Sequence, residues 1–360
     1  MMRAALALAR RSLGRTWPNP AVGCVIVKNG TIVGRGRTRD GGRPHAEVDA
    51  LNQAGSAARG ATVYVTLEPC SHVGKSPPCA DALINAGVAK VVSAMADPNP
   101  QVNGQGHARL QEARIAVEVG EGAKEAAEIN AGFLLRIGQG RPLFHLKLAT
   151  SIDGHIATAS GDSKWITGEA ARADGHRLRS IHDAVLVGIG TAAADDPDLT
   201  CRLPGIAAYS PVRIVLDSKA RLSPSSRLAT TTRKVPVWLM CMPAAPAAAR
   251  AALKDVGVEI LEVAAGADGR VDVAAAAKEL GKRGMTRVLI EGGGQVAAAF
   301  LKADLVDRLS LYHGGRALGA DSRSAVGPLG LQKLDSAPRF SLVASRVVGG
   351  DTVETWQRGT

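Results

Sequence analysis

The segment Thr66–Asp81, with the sequence TLEPCSHVGKSPPCAD, constrains this chain more than any other. It places Cys70 and Cys79 between a β-like run and an apolar, helix-like run, with eight residues separating the two thiols. A third soft ligand, His45, opens another helix-like segment upstream. Zinc takes four tetrahedral ligands, and a catalytic site leaves one of the four positions to water. One histidine and two cysteines match that number, so the sequence predicts a catalytic zinc site.

A carboxylate lies where such a site needs one. Glu47 follows His45 by two residues, on a neighbouring face of the predicted helix, beside the metal rather than on it. In zinc deaminases the motifs H-x-E and P-C-x-x-C supply three ligands and an acid/base in this way. Here Pro69-Cys70 is present, but eight residues rather than two precede Cys79. An alternative stays open at this point, in which the two cysteines are packing thiols and His45 is a helix cap.

Composition limits the size of the protein and its partners. A chain of 360 residues is too long for one ordinary core, so we expect two domains. The net charge of +11 favours anionic partners, either nucleic acid or phosphorylated metabolites. Aromatic residues make up only 3% of the chain, whereas single-stranded nucleic acid is usually bound by stacked aromatic rings. We therefore expect a small phosphorylated ligand and no nucleic acid.

Cysteine usage and hydropathy predict a cytoplasmic protein. The cysteines form no dense, even-numbered framework, which fits a reducing compartment; they stand at positions 24, 70, 79, 201 and 241. No apolar run approaches the roughly 18 residues of a membrane helix, so no membrane partner is expected. The first fifteen residues are basic and lack acids. Their helix-like spacing nevertheless runs into Pro18-Asn19-Pro20 without a cleavage region, which argues against a targeting segment.

The first half of the chain has the pattern of a layered α/β domain. Asn29-Gly30 separates two β-branched runs and predicts a hairpin, because both turn positions need positive φ. Helix-like and strand-like segments then alternate as far as a predicted helix over 123–137. Such alternation places sites at the carboxyl ends of strands. Gly138–Pro142 follows, and we place the domain boundary there, giving domains of residues 1–141 and 142–360.

The second half predicts another α/β domain, with its own anion site. It restarts with a strand, and further predicted elements include a helix over 169–180 and strands over 184–188, 212–216 and 287–291. Gly292, Gly293 and Gly294 follow the last of these strands and open a helix. Backbone amides can approach a phosphate there, and the amino end of the helix supplies positive potential. The pattern favours dinucleotide binding.

A second glycine pattern competes with this interpretation. Residues 188–193 fit G-x-G-x-x-A after a strand, and Asp217 lies near the distance expected for a ribose-binding acid. The chain continues, however, as Asp195-Asp196-Pro197-Asp198, which cannot form the long helix that a Rossmann glycine loop opens. We therefore disfavour a Rossmann site at this position.

Several long motifs, in one order, closely resemble the bifunctional deaminase-reductases of riboflavin biosynthesis. In the first half they are T-x-P-N-P-x-V-G-C (16–24), HAE (45–47), E-P-C-S-H-x-G-K-x-P-P-C (68–79), and D-P-N-P followed by G-Q-G (97–106). In the second half they are K-L-A (147–149), S-I-D-G (151–154), W-I-T (165–167), A-D-D-P-D-L-T (194–200) and E-G-G-G (291–294). The resemblance covers nearly the whole chain, and the long gap between the cysteines is part of it.

The resemblance implies an α/β protein of two domains. The amino-terminal domain would have the cytidine-deaminase-like three-layer α/β fold and the carboxy-terminal domain a dihydrofolate-reductase-like α/β fold. The first would hydrolytically deaminate 2,5-diamino-6-(5-phosphoribosylamino)pyrimidin-4(3H)-one with zinc-activated water. The second would then reduce the ribosyl side chain to a ribityl chain with NADPH. The cofactors would be one Zn²⁺ per chain and NADPH, the substrate a small phosphorylated pyrimidine, and the assembly a homodimer.

The resemblance also assigns site residues. In the first domain Glu47 would be the acid/base, and the zinc ligands would be His45, Cys70 and Cys79. Substrate contacts there would come from Asn19, Lys75, Asp97 and Asn99. In the second domain substrate contacts would come from Ser163, Arg179, Leu199, Arg202 and Glu291. Cofactor contacts would come from Ala149, Trp165, Thr191, Asp195, Ser218, Gly293, Gly294, Gln295, Val296, Ala297, Ala298 and Ala299. Glu291 and Asp195 are candidates for the proton donor of the reduction.

Two rival functions remain open from the sequence. A tRNA base deaminase with an accessory domain would share the zinc chemistry and use the positive charge on phosphates. It would not explain the second α/β domain or the spacing of the cysteines. A non-catalytic protein with structural zinc is the other alternative. Such sites normally close with four protein ligands, which disfavours a count of three beside Glu47.

Overall fold

The computed structural model describes residues 1–72, 77–99 and 102–359. The chain divides into two compact units, Met1–Arg141 and Pro142–Thr360, called here the amino-terminal and the carboxy-terminal unit. Among the described residues, no helix is both long and apolar enough to cross a membrane.

The amino-terminal unit begins with a helix and the predicted hairpin. Helix α1 (Met2–Arg10) is followed by strands β1 (Gly23–Lys28) and β2 (Thr31–Arg37), which pair antiparallel. Asn29 and Gly30 form the turn with φ of 48° and 78°. Positive φ at both central residues matches the twist of the two strands, and Asn-Gly tolerates it best. The hairpin prediction is confirmed.

The remaining elements of this unit build one mixed sheet with helices on both faces. The strands are β3 (Thr62–Val65), β4 (Lys90–Ser93) and β5 (Ala116–Val119), and the sheet order is β2-β1-β3-β4-β5. The β3-β4 and β4-β5 pairs are parallel. The helices are α2 (Ala46–Ala54), α3 (Cys79–Ala86), α4 (Gln105–Glu112), α5 (Ala123–Ile129) and α6 (Ala131–Gln139).

Two apolar cores make this unit a three-layer structure. One core joins the sheet to α2 and α3 through residues such as Ala50 and Leu83, and the other joins it to α1 and α5 through Leu6 and Ile129. Alternate side chains of a strand point to opposite faces, so each strand contributes to both cores. The layering leaves the helix starts of α2 and α3 on the same side of the sheet.

Two glycines set how closely α2 packs on β2. A Cβ on Gly34 would lie 2.3 Å from the Ala50 carbonyl oxygen, and one on Gly36 would lie 2.1 Å from that of Ala46. Both distances are far below van der Waals contact, so only glycine permits this approach. The start of α2, which carries His45 and Glu47, is thereby held against the strand.

The carboxy-terminal unit is built on a sheet of nine strands in the order β11-β10-β9-β8-β12-β6-β13-β16-β15. The strands are β6 (Leu143–Ser151), β8 (Ala184–Gly188), β9 (Val212–Leu216), β10 (Val237–Cys241), β11 (Glu259–Glu262), β12 (Arg287–Ile290), β13 (Val306–Gly314), β15 (Phe340–Val348) and β16 (Asp351–Arg358). The pairs from β11 through β13 are parallel, whereas β16 is antiparallel to both of its neighbours. A small sheet pairs β7 (His155–Ala157) with β14 (Arg323–Ser324).

Helices cover the parallel part of this sheet. They are α7 (Glu169–Ser180), α8 (Ile189–Asp195), α9 (Arg227–Thr230), α10 (Ala247–Asp255), α11 (Val273–Lys282) and α12 (Gly294–Lys302). Helix α8 has only seven residues and ends before Asp196, whose φ is 38°. The glycine pattern at 188–193 therefore opens no long helix, in agreement with the argument against a Rossmann site.

A chain of buried polar side chains crosses this core. His182 Nδ1 lies 2.7 Å from the Leu178 carbonyl oxygen, and its Nε2 lies 3.2 Å from His145 Nδ1. His145 Nε2 lies 2.8 Å from Ser310 Oγ. A carbonyl only accepts, so His182 donates to Leu178, His145 donates to His182, and the Ser310 hydroxyl donates to His145. Each ring is satisfied in its neutral form, and burial lowers the pKa of both histidines, to about 3 for His182.

We expect this pair to make the carboxy-terminal unit sensitive to acid. An unfolded histidine titrates near 6.5, so below that pH the unfolded chain binds protons that the folded unit does not. Stability is present above pH 6.5 and is lost as the pH falls toward 3, by up to about 1.4 kcal/mol per pH unit for each histidine. Urea unfolding followed by tryptophan fluorescence measures this slope. His182→Asn should reduce it; a slope equal to that of the wild-type protein would contradict the expectation.

Candidate functional site: a metal centre and a buried ion pair

The three predicted zinc ligands lie together in the amino-terminal unit. His45 immediately precedes α2, Cys79 is the first residue of α3, and Cys70 lies in the loop after β3. His45 Nδ1 is 3.7 Å from Cys70 Sγ and 3.4 Å from Cys79 Sγ, and all three ligand atoms lie within 4.8 Å of one another. One imidazole and two thiols at this separation fit a zinc ion with a fourth position left for water.

The electrostatics of the cluster favour a cation. The hydrogen bond from the Cys79 thiol lowers the pKa of Cys70 to about 4, and the same bond together with burial raises the pKa of Cys79. Cys70 is therefore a thiolate beside a neutral thiol. A divalent metal ion favours deprotonated sulfur, so its binding would release the remaining thiol proton.

Glu47 is a buried carboxyl beside these ligands. It is 3% exposed, and burial, followed by the charge of Cys70, raises its pKa to about 7. An acid/base catalyst is most effective when its pKa lies near the working pH, because it can then both take and return a proton. Its position in the first turn of α2, two residues after His45, follows directly from the helix start.

One cavity of ≈ 240 Å³ joins the cluster to three of the predicted substrate residues. Its lining includes His45, Glu47 and Cys70 together with Asn19, Asp97 and Asn99. Asn19 donates from Nδ2 to the Gly42 carbonyl oxygen at 2.9 Å, which orients its amide. Asp97 accepts the Asn99 N–H at 2.9 Å, and burial raises the pKa of Asp97. Lys75, the fourth predicted substrate residue, lies outside the described residues.

In the carboxy-terminal unit the structure brings Arg179 and Glu291 together. Arg179 Nε and Nη2 donate to the two carboxylate oxygens of Glu291 at 2.7 and 2.8 Å, and Nη1 donates to the Thr200 carbonyl oxygen at 3.0 Å. Burial would raise the pKa of Glu291, but Arg179 and Lys147 outweigh it and lower the pKa to about 2. Glu291 is therefore an ionised carboxylate held in a bidentate pair.

Lys147 is a site residue that sequence reasoning missed. It lies on β6, and burial lowers the pKa of its ammonium group, while the charge of Glu291 raises it. Its ammonium group also lies 5.3 Å from the centre of the Tyr312 ring. The motif K-L-A at 147–149 contained the signal, but only Ala149 received a role from it.

Two of the predicted cofactor segments also meet. Thr191 Oγ1, on α8, accepts the N–H of Gly293 at 3.1 Å, and Gly293 immediately precedes α12. Gly293, the N-cap residue of α12, has no side chain to cap the helix, and a helix amino end of this kind favours an anion such as a dinucleotide phosphate. A Cβ on Gly294 would lie 2.8 Å from the Ser324 carbonyl oxygen, so packing alone already requires glycine there.

The other predicted residues of this unit have separate surroundings. Arg202 pairs with Asp198 at 3.6 Å, Ser218 Oγ accepts the Val271 N–H at 3.0 Å, and Gln295 accepts from Arg270 at 3.1 Å. Trp165 is 60% exposed, and the Arg172 guanidinium lies 4.5 Å from its ring centre. Asp195 is exposed, whereas Ala149, Ser163, Val296 and Ala299 are half-buried.

Three predicted contact residues have buried side chains. Leu199 is 4% exposed and belongs to the core around β8 and β9, with φ of 53°. Ala297 and Ala298, in α12, are 0% and 5% exposed. These residues therefore expose almost no surface to a ligand in this structure.

Comparison with known proteins identifies both units. Residues 142–353 match the RibD C-terminal domain, and residues 1–95 match the cytidine and deoxycytidylate deaminase zinc-binding region. The riboflavin biosynthesis protein RibD of Escherichia coli (strain K12) is 44% identical over an alignment length of 370 residues. The alignment covers 97% of this chain and 96% of that protein. The chain belongs to the RibD family. It is a bifunctional deaminase and reductase of riboflavin biosynthesis, and this prediction is confirmed.

Two solved RibD-family structures agree with this fold. Acinetobacter baumannii RibD is 40% identical, with a TM-score of 0.89, covering 100% of this chain and 98% of that one. A diaminohydroxyphosphoribosylaminopyrimidine deaminase/5-amino-6-(5-phosphoribosylamino)uracil reductase from Thermotoga maritima is 33% identical, with a TM-score of 0.86, covering 99% and 97%. The predicted fold class is confirmed, as are the predicted cofactors, zinc and NADPH.

We expect Cys70→Ala to remove zinc without disturbing the carboxy-terminal unit. Two ligands hold zinc far more weakly than three, so metal content measured by mass spectrometry should fall from about one ion per chain to nearly none. Cys241→Ala, which truncates a buried thiol of β10, is the matched control and should keep its zinc. Full zinc content in Cys70→Ala would contradict the assignment of this ligand.

Proposed function

We propose that the amino-terminal unit hydrolytically deaminates 2,5-diamino-6-(5-phosphoribosylamino)pyrimidin-4(3H)-one and that the carboxy-terminal unit then reduces the ribosyl group of the product to a ribityl chain. One observation carries the first half of this proposal. His45, Cys70 and Glu47 share a cavity with Asn19, Asp97 and Asn99, so metal ligands, an acid/base and polar groups suited to a pyrimidine face the same space.

His45, Cys70 and Cys79 would hold the zinc ion. When bound, zinc lowers the pKa of a water molecule toward neutrality and so supplies the nucleophile. Glu47 takes the proton of that water and later returns it to the departing amine, which leaves as ammonia. Its raised pKa, about 7, supports both transfers, because neither protonation state is strongly favoured near neutral pH.

Polar groups that line the same cavity would bind the pyrimidine. The amides of Asn19 and Asn99 offer both donors and acceptors to the edge of the ring. Asp97, whose pKa is raised by burial, can accept from an exocyclic amino group when ionised. Lys75 would meet the substrate phosphate as a point charge.

In the carboxy-terminal unit the cofactor would lie along α8 and the start of α12. NADPH, when bound, supplies the hydride for reduction of the sugar carbon C1′. Thr191 accepts a hydrogen bond from the Gly293 N–H, and the positive potential at the amino end of α12 favours the cofactor phosphates. Further contacts would come from Ala149, Trp165, Asp195, Ser218, Gly294, Gln295, Val296, Ala297, Ala298 and Ala299.

The pyrimidine product would bind beside the Arg179–Glu291 pair. Arg179 is fixed by three hydrogen bonds, so it presents a pre-oriented cation to an anionic ligand. Further substrate contacts would come from Ser163, Leu199, Arg202 and Glu291. Asp195 and Glu291 are the candidate proton donors; the low pKa of Glu291 means that it must first bind a proton, which loss of its pairing with Arg179 would favour.

The sequence of reactions can be tested with purified protein and the phosphoribosylated diaminopyrimidine. Ammonia should be released without NADPH, and NADPH should be oxidised only after deamination. Supplying the deaminated pyrimidine directly should restore NADPH oxidation in any variant that lacks deaminase activity. Absence of ammonia release from zinc-loaded protein would refute the proposed first step.

Glu47→Gln should retain zinc and lose ammonia release by a factor of about 10² to 10⁴, the usual contribution of a positioned acid/base. Glutamine keeps the shape of the side chain but cannot take the proton of water. Zinc content, ammonia release, and NADPH oxidation with deaminated pyrimidine should be measured on the same sample. Glu112→Gln, an exposed position on α4, serves as the control. Near-normal ammonia release by Glu47→Gln would exclude Glu47 as the acid/base.

We also propose a cytoplasmic homodimer. Reduced cysteines fit a reducing compartment, and the five cysteines of this chain are free thiols. Strand β15 is the edge of the nine-stranded sheet and exposes Leu342, Val343 and Val347, the kind of apolar edge that a second copy can cover. Sedimentation equilibrium would distinguish a dimer from a monomer.

A further inference from the structure

Glu68 is a buried carboxylate bound by four main-chain N–H groups. Its side chain is 0% exposed. Oε2 accepts the N–H of Asp97 at 3.1 Å and that of Gly104 at 2.9 Å. Oε1 accepts the N–H of Gly106 at 2.8 Å and that of His107 at 3.3 Å. Burying a carboxylate is costly without such donors, so these contacts justify its presence in the interior.

Two of these donors belong to the start of helix α4. The helix receives no side-chain cap from its own N-cap residue, Gly104. The Gln105 N–H donates to the Val102 carbonyl oxygen at 2.6 Å, and the next two N–H groups donate to Glu68. A helix leaves its first N–H groups without partners inside the helix, and a carboxylate there is favoured by the helix dipole. Glu68 is therefore the cap of α4, supplied from another part of the chain.

The other two donors lie at the two ends of a cavity loop. The chain from Asp97 to Gly104 begins with Asp97 and Asn99, the proposed substrate contacts, and Glu68 Oε2 holds the N–H at both of its ends. Asp97 in turn accepts the Asn99 N–H, and the Asn99 carbonyl accepts the Val102 N–H at 2.8 Å. One carboxylate oxygen thus contacts the main chain at Asp97 and at Gly104, on either side of Asn99.

The same residue is tied to the metal cluster. Glu68 precedes Cys70 by two positions, so the carboxylate and a zinc ligand project from one short segment. The main chain there also touches α4, since a Cβ on Gly106 would lie 1.9 Å from the Pro69 carbonyl oxygen. The substrate loop, the start of α4 and the Cys70 segment are consequently held as one piece.

Glu68 is not part of a second hydrolytic site. With Ser93 and His107 it has the outline of a catalytic triad: Ser93 Oγ lies 2.8 Å from His107 Nε2, and His107 Nδ1 lies 3.8 Å from Glu68 Oε2. Ser93 is 0% exposed, however, so no substrate can reach its hydroxyl. The Ser93–His107 hydrogen bond instead joins the end of strand β4 to helix α4.

We propose that Glu68 is a positioning residue of the deamination site, which fixes Asp97 and Asn99 relative to the zinc ligand Cys70 and so determines affinity for the pyrimidine. This inference rests on the proposed deaminase function and adds a residue that touches neither the metal nor the reacting atoms. Misplacement of binding groups by about 1 Å can cost on the order of 10²-fold in rate.

Glu68→Gln is the decisive variant. It keeps the side-chain shape but turns one oxygen into an NH₂ group that faces two N–H donors. We expect kcat/KM for ammonia release to fall about 10- to 100-fold, mainly through KM, with zinc retained. Glu68→Asp, which restores the carboxylate, should recover part of the loss. The visible spectrum of the Co²⁺-substituted protein should stay unchanged, because the metal ligands are intact.

Two controls separate this role from general stability. Asp49→Asn removes another carboxylate that accepts a main-chain N–H, that of Arg37 at 3.1 Å, away from the cavity lining, and should leave KM unchanged. NADPH oxidation with deaminated pyrimidine should be normal in every variant. A zinc-loaded Glu68→Gln with wild-type KM and kcat would overturn the proposal, as would a Glu68→Asp variant no better than Glu68→Gln.

A measurement on the unaltered protein covers the case in which Glu68→Gln does not fold. If Glu68 holds the loop, the amides of Asp97, Gly104 and Gly106 exchange slowly with deuterium in the wild-type protein; fast exchange of these amides would also refute the proposal. Failure of the deaminase function itself is recognised separately, since the wild-type protein would then release no ammonia.

Discussion

The close packing of helix α2 on strand β2 is the constraint on which the deaminase site depends. Glycines at 34 and 36 allow helix carbonyls to approach the strand within distances that any side chain would forbid. This packing fixes the start of α2, and it thereby fixes the positions of His45 and Glu47. Cys79 is positioned in a similar way, because it is the first residue of α3, which packs on the same apolar core. The positions of His45, Glu47 and Cys79 are thus a consequence of layer packing.

The two units use buried carboxyl groups in opposite ways. Around Glu47, burial and the negative charge of Cys70 favour the neutral acid, and the pKa rises to about 7. Around Glu291, Arg179 and Lys147 outweigh burial, and the pKa falls to about 2. A group poised near neutrality suits proton transfer, whereas a permanently charged one suits binding and orientation. The surroundings of each carboxyl, rather than its residue type, thus decide which task it can perform.

Turn residues and hydrophobic periodicity predicted those helices, strands and turns that depend on interactions between residues close in sequence. The Asn29-Gly30 hairpin, helix 169–180 and strands 184–188 and 212–216 were all predicted from turn chemistry and periodicity, and the structure has them at those positions. The predicted single helix over 123–137 was wrong, because the chain divides into α5 and α6 at Asn130. The Asn130 side chain exchanges two hydrogen bonds with the main chain of Ala21, a partner more than a hundred residues away in sequence.

In the candidate sites too, local motifs were predictable from the sequence, whereas contacts between distant residues were not. The grouping of His45, Cys70 and Cys79 beside Glu47 was predictable from their residue types and spacing. The roles suggested for Lys147 and Glu68 depend on what faces them, namely Glu291 in one case and the amides of Asp97 to His107 in the other. Neither set of contacts produces a recognisable residue pattern in the sequence. The burial of Ala297 and Ala298 likewise depends on which face of α12 packs on the sheet. The glycines at the start of this helix do not indicate that face.

The unusual gap between the cysteines is explained by how its two ends meet. The Cys79 N–H donates to Cys70 Sγ at 3.3 Å, and the Ala80 N–H donates to the Cys70 carbonyl oxygen at 3.1 Å. These two hydrogen bonds bring Cys70 and Cys79 next to each other, although eight residues separate them in sequence. Closing a longer loop costs little extra entropy, since the cost grows only with the logarithm of its length. A chain can thus lengthen this loop without separating Cys70 from Cys79.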